Sequence, residues 1–461
     1  MKIRRFSYVF LIAAMLACNF ITSRVTPPTA TPAPTFTATL EATLEPLAPS
    51  YIPSICQNIA LATVPPATAL VQPTTELQAN PEISQDLQQK VFAETVDVIE
   101  EVYVYRDFNG NDWPAIVSKY RARIGAGLKT EKFYSEMESM ITELGDEHSS
   151  FLSPLDVAVE EAELAGSNDY VGVGIYALPQ LDKDQAAIIS VFPDSPAEHG
   201  GLKAHDTILS VDGLPIVADG ENYVYLARGP ECSGTVLTIK SPGQEPRDVL
   251  LVRQRIQSPL LIEARLVPTI DGSRIGYIFI PTFFDQTIPQ QMEDALNNFG
   301  PLDGLILDNR LNGGGSGDVL EPVLSFFTSG NLGQFVSRKE SSPLQISANP
   351  VQNSQDVPLI VLVSEETVSF GEIFAGVLGD SWRAKIVGQT SLGNVEILHG
   401  YDFDDGSQLW IAEDAFVPSV SQANWEVTGI VPDVEAYADW DTFTFETDPS
   451  VAAALSLLGH E

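Results

Sequence analysis

Apolar residues recur at helical spacing between residues 82 and 145. Phe92, Val96, Ile99, Val102 and Tyr103 fall on one face, and Phe133, Met137, Met140, Ile141 and Leu144 on another. The pattern predicts amphipathic helices that end in a polar turn, Gly145-Asp146-Glu147-His148-Ser149-Ser150. From Tyr170 the period shortens. Alternating runs such as Tyr170-Val171-Gly172-Val173-Gly174-Ile175 and Ala187-Ile188-Ile189-Ser190-Val191 alternate with glycine turns, as in a small β unit. From about 260 the apolar runs become continuous: Ile275-Gly276-Tyr277-Ile278-Phe279-Ile280, Leu305-Ile306-Leu307 and Leu359-Ile360-Val361-Leu362-Val363. These read as buried strands, with helical segments at 289–298 and 372–378, so this part is an α/β layer fold.

The two ends of the pattern differ from the rest. Lys2, Arg4 and Arg5 precede an apolar run over 6–17, too short for a bilayer, which takes ~20 residues. A basic start and a short apolar run predict an export signal. It ends at Met15-Leu16-Ala17-Cys18, which resembles the lipobox of bacterial lipoproteins. That resemblance implies lipidation of Cys18 and anchoring at the outer face of the cytoplasmic membrane. The following residues, to about 80, are rich in Thr, Pro and Ala. They cannot pack and would serve as a stalk, with a small ordered patch around 51–56.

A chain of 461 residues suits two or three domains. The expected division is a signal (1–18), linker (19–80), helical N-terminal domain (81–165), β domain (166–258), α/β domain (259–445) and tail (446–461). A net charge of −37 makes nucleic acid a poor partner, since phosphate binding needs clustered cations. Outside the cytoplasm Cys56 and Cys232 could pair, although their spacing neither supports nor excludes it. No His/Cys/Asp cluster has metal-ligand spacing, so neither metal nor cofactor is expected.

Three stretches could carry chemistry. Leu307-Asp308-Asn309-Arg310-Leu311-Asn312-Gly313-Gly314-Gly315 follows a buried strand, where a glycine run lets backbone N–H groups face a substrate oxygen. A phosphate loop is the rival, but no Lys-Ser/Thr follows the glycines. In Thr367-Val368-Ser369-Phe370-Gly371-Glu372 a serine stands where a strand turns into a helix. Such a serine suits a nucleophile beside helix N–H groups, and equally suits an ordinary N-cap. The third stretch is Trp425-Glu426-Val427-Thr428-Gly429-Ile430-Val431-Pro432-Asp433.

The β unit, with Ser195-Pro196-Ala197-Glu198 and the run from Asp206 to Gly213, resembles a PDZ domain. That implies a peptide's terminal carboxylate at Val171, Gly172, Val173 and Gly174, and strand addition beside them. Together with it, the three stretches resemble the C-terminal processing (tail-specific) peptidases and their tricorn-type relatives. The resemblance implies a multi-domain α/β protein with a ClpP/crotonase-like serine peptidase domain. It implies Ser369 as nucleophile, with Gly314 and Phe370 supplying oxyanion N–H groups. The substrates would be proteins or peptides recognised through their C-termini.

The sequence departs from the family at the base. The processing peptidases use a Lys 25 residues after the serine, and that position is Asn394. The tricorn-type branch uses a His and a Glu, which match His148 and Glu426. A histidine is a natural base near neutral pH, and a carboxylate on its other nitrogen would orient it. Glu396 could be a second carboxylate near the serine, or cap a strand, and His399 is a rival base. His199 and His205 read as surface residues. Two functions follow: an exported serine endopeptidase, or a PDZ-containing pseudo-protease that binds peptides without turnover.

Overall fold

The computed structural model describes residues 48–57, 79–146, 148–158, 169–218 and 221–460. The signal, Cys18 and most of the linker lie outside these residues.

Helices Gln85–Val102, Trp113–Ile124 and Thr130–Thr142 form as the periodicity predicts. The Ser84 side chain caps the first by accepting Leu87 N–H, and Asp112 caps the second by accepting Ala115 N–H. Phe133, Met137, Met140, Ile141 and Leu144 are completely or almost completely buried. They do not build a core of their own. The same apolar cluster includes Ile278, Leu307, Val361 and Phe374 from beyond residue 259. The strand Ser150–Leu152 also pairs antiparallel with Gln408–Pro418. The helical segment and the α/β unit therefore fold around one core.

A six-stranded sheet organises that unit. Its order is Glu263–Val267, Ile275–Phe279, Gly304–Asp308, Leu359–Val363, Lys385–Gly388, Val434–Glu435. The first pair is antiparallel and all others are parallel. Every residue of the strands Gly304–Asp308 and Leu359–Val363 is buried, as expected where helices cover both faces. The C-terminal ends of these two neighbouring strands release the Gly-rich loop and the Ser369 turn. An α/β sheet places its binding crevice at such strand ends. The 446–461 segment is more than a tail. Its helix Pro449–Leu458 buries Val451 and Ala454, and the capping Asp448 receives Arg310.

The β domain has its own core of Val173, Ile188, Leu202, Ile208, Leu237 and Leu251. Its sheet ends in the edge strand Ile175–Gln180, which pairs only with Gln185–Val191 among the described residues. A disulfide joins Cys56 to Cys232 across 176 residues and fastens the 48–57 segment to this domain. The domain docks on the α/β unit through Trp440, whose indole N–H donates to the Ile188 carbonyl. His205 is no free surface residue. Its ring stacks on Trp440 at 4.1 Å, and its Nδ1 lies 2.9 Å from the Trp440 carbonyl. Lys183 bridges Asp439 and Asp441 at the same junction.

Candidate active site

Ser369 occupies a backbone conformation that side chains rarely adopt, with φ +55° and ψ −126°. Such strain persists only where surroundings enforce it. Here Val368 N–H donates to the Asn312 carbonyl (3.0 Å) and Ser369 N–H to the Asn394 carbonyl (2.8 Å). Glu372 completes the clamp. Buried in the first turn of helix Phe370–Asp380, it accepts from Ser391 Oγ (2.6 Å), Gly393 N (2.8 Å), Asn394 N (2.7 Å) and Ser369 N (3.3 Å). Burial raises its pKa, although these donors oppose the shift. Ser369 and Glu372 stand in the positions of a capping box, yet the buried Ser369 hydroxyl makes no hydrogen bond among the described residues. No side-chain cap hydrogen bond ties the hydroxyl to the helix.

Gly314 lies against this hydroxyl. A β-carbon added to it would stand 2.8 Å from Ser369 Cβ, 3.1 Å from its Oγ and 3.1 Å from Phe370 N. Its φ of +91° also requires glycine. The Gly314 N–H itself donates to Asn312 Oδ1 at 3.0 Å. The N–H expected to face a substrate oxygen is thus held by an internal acceptor. Asn312 in turn donates to Asn309 Oδ1, and Asn309 donates to the Gly371 carbonyl, tying the two loops together. Phe370 is buried at the helix start, with its ring near Phe335.

His148 is buried beside two carboxylates. Its Nδ1 is 2.8 Å from Glu396 Oε2, and its Nε2 is 3.9 Å from Glu426 Oε1. The expected pairing is therefore corrected: Glu396, not Glu426, takes Nδ1. The Nδ1 contact is short but out of line for a hydrogen bond. The Tyr105 hydroxyl donates to the other Glu396 oxygen. Burial works to raise Glu396, but His148, Glu426 and Tyr105 outweigh it and hold the carboxyl below its usual range. Burial and the adjacent Glu396 push Glu426 up to about 10, so Glu426 carries the proton of the pair at neutral pH. Asp146 secures the His148 turn by accepting the N–H groups of His148 and Ser149 and the Ser149 hydroxyl.

One short segment joins these groups. The Asn394 carbonyl holds Ser369 N–H, Val395 N–H donates to Glu426 Oε2 (2.8 Å), and Glu396 meets His148. Asn394 thus supports the serine through its backbone. His399 is engaged elsewhere, with Nε2 2.8 Å from Asp414 and Nδ1 3.8 Å from Glu413. Sequence reasoning missed the clamping role of Glu372 and the roles of Asn312, Tyr105 and Asp146. Only Glu372 had a local signal, the serine–glutamate spacing of a capping box.

In the β domain, Val171 and Gly172 belong to strand Asp169–Gly172, paired with Gln254–Gln257. The Val173 and Gly174 carbonyls accept from Ala197 and Phe192. Gly174 has φ +84°, and a β-carbon there would fall 2.2 Å from Ser195 Cβ, so this turn admits only glycine. It opens directly into the edge strand.

Residues 274–436 match the family profile of peptidase family S41, and residues 188–241 that of the PDZ domain. Over residues 274–436 the chain is similar to peptidase family S41. The carboxyl-terminal-processing protease of Synechocystis sp. is 27% identical over 379 residues, covering 80% of this chain and 87% of that protein. The chloroplastic C-terminal processing peptidase of Tetradesmus obliquus is 28% identical over 370 residues, 76% of this chain and 77% of that one. The fold matches a solved photosystem II D1 C-terminal processing protease with a TM-score of 0.55 at 24% identity, over 81% of this chain and 97% of that chain. The chain is a serine peptidase, a hydrolase, with a PDZ domain beside its peptidase unit.

Proposed function

We propose that this peptidase cleaves polypeptides near their C-termini through an acyl-enzyme on Ser369, with His148 as base and Glu396 orienting it. The single observation that carries the reading is the strained Ser369, its hydroxyl buried without a hydrogen bond beside Gly314. His148 Nε2 takes the hydroxyl proton as Oγ bonds to the scissile carbonyl carbon. The oxyanion is met by the N–H groups of Phe370 and of Gly314, which exchanges Asn312 for the substrate. His148 then returns the proton to the leaving amine, and water releases the acyl group by the reverse sequence. Glu396, already ionised, stabilises the imidazolium in both halves. The PDZ edge strand Ile175–Gln180 receives the substrate tail by strand addition.

A second reading, a peptide-binding pseudo-protease, draws on one observation: Asn394 replaces the family lysine and, among the described residues, no base is hydrogen-bonded to Ser369. A serine-reactive fluorophosphonate probe separates the two. Labelling of wild type that is lost in Ser369→Ala supports the peptidase, and equal absence of labelling supports the binding protein. Recognition through C-termini requires that amidating a substrate's terminal carboxylate slow its cleavage. Export and anchoring through Cys18 rest on the signal-like N-terminus. Cys18→Ala should move the protein from the membrane to the soluble fraction, and an unchanged distribution would refute the anchor.

A further inference from the structure

Spacing along the chain gave no sign of a metal site, yet the fold collects one imidazole and two carboxylates at the base of the site. Ligand atoms of His148, Glu396 and Glu426 all lie within 4.8 Å of one another. Two details go beyond a His–carboxylate pair. First, the 3.9 Å between His148 Nε2 and Glu426 Oε1 is too long for a hydrogen bond. It is within ~0.5 Å of the roughly 3.4 Å that separates two ligands standing about 2.0–2.2 Å from one tetrahedral zinc ion. Second, His148 Nδ1 and Glu396 Oε2 are buried and 2.8 Å apart but not aligned as donor and acceptor. Among the described residues neither carboxylate is paired with a Lys or Arg, so the cluster is short of positive charge. The Glu426 side chain keeps 18% exposure, which leaves an entry for a hydrated ion.

We propose that His148 and Glu426, backed by Glu396, bind a zinc-class divalent cation that switches hydrolysis off. Nε2 and the Glu426 carboxylate are the direct ligands, and water fills the remaining positions. The ion displaces the proton that Glu426 carries, and Glu396 holds the ring from Nδ1 with its own negative charge, the arrangement that orients metal-bound histidines generally. A nitrogen in the donor set favours Zn²⁺ over Mg²⁺ and Ca²⁺, which prefer oxygen alone. An ion on Nε2 occupies the lone pair that would take the Ser369 proton, so the bound form cannot start acylation. This regulation rests on the peptidase reading, but the binding does not.

The test is calorimetric titration of Zn²⁺ into the full chain carrying Ser369→Ala, which needs no turnover. One equivalent should bind, Ca²⁺ should not compete, and His460→Ala should change nothing. Adding Glu426→Gln or Glu396→Gln should weaken binding roughly 10–100-fold, with unchanged melting curves showing that both variants fold. Unchanged affinity in both folded variants, or no stoichiometric binding to the parent, overturns the site. Wild-type peptide hydrolysis should then fall with Zn²⁺ at the same concentrations and return with EDTA. Full activity of the zinc-loaded enzyme overturns the switch. If wild type never hydrolyses peptide, the peptidase reading fails, while the binding isotherm still decides the site.

Discussion

Replacing Glu396 by Gln should damage turnover far more than replacing Glu426 by Gln, although both acids touch the same histidine. The Glu396–His148 contact is 2.8 Å and almost fully buried. At an effective dielectric of about 20, opposite unit charges at that distance attract by about 6 kcal/mol. That attraction exists only after His148 has taken the serine proton, so it belongs to the transition state rather than the ground state. Incomplete alignment and relaxation reduce it, and a loss of ~10²–10⁴ in kcat is expected, comparable to neutralising the orienting carboxylate of other serine triads. Glu426 already carries a proton at neutral pH, so an amide there replaces a neutral group and should cost less than ~10-fold. Single-turnover acylation with an ester substrate at pH 7.5 measures both variants, and circular dichroism checks their folding. If Glu426→Gln loses as much as Glu396→Gln, the division of roles between the two acids is wrong.

Three further outcomes follow from the same geometry. Gly314→Ala should abolish fluorophosphonate labelling while the protein stays folded, because the new methyl sits 2.8 Å from Ser369 Cβ at φ +91°; labelling at the wild-type rate would remove Gly314 from the oxyanion site. His205 has its pKa lowered by burial at the PDZ junction, with Arg310 adding to the effect. Its folded pKa lies below the unfolded value of about 6.5, so its contribution is complete above that pH and is lost as pH falls through the folded value. Urea unfolding at pH 7.5 and 5.0 should show a larger acid penalty for wild type than for His205→Phe, and equal penalties would refute the assignment. Cys232→Ser opens a 176-residue loop, for which chain entropy sets an upper bound of ~5 kcal/mol; a melting temperature unchanged from the oxidised wild type would show that the bond constrains nothing.

Much of this architecture was legible in the sequence because its signals are local. The faces containing Phe92 and Ile99 and those containing Met137 and Ile141 need only the helical period. The run Leu359–Val363 needs only its length and β-branching. Ser369 could be placed because its strand-to-helix turn and Glu372 lie within a few residues. What stayed hidden depends on long-range closure. Glu396 meets His148 only because strands Ser150–Leu152 and Ile397–Asp402 flank the same partner, Gln408–Pro418. No sequence pattern distinguishes it from Glu426. The engagement of Gly314 N–H by Asn312 is a side-chain choice within a loop whose backbone was foreseen. His205 looked like a surface residue because its cover, Trp440, comes 235 residues later.

The Cys56–Cys232 bond also sets the route by which mechanical load enters the molecule. Because the chain before Cys56 is covalently fixed to the PDZ domain, a pull on the N-terminus is delivered there, before it reaches helix Gln85–Val102. A single backbone cut between residues 58 and 78 would not release the N-terminal piece, which would remain on the enzyme as a second chain until a reductant freed it.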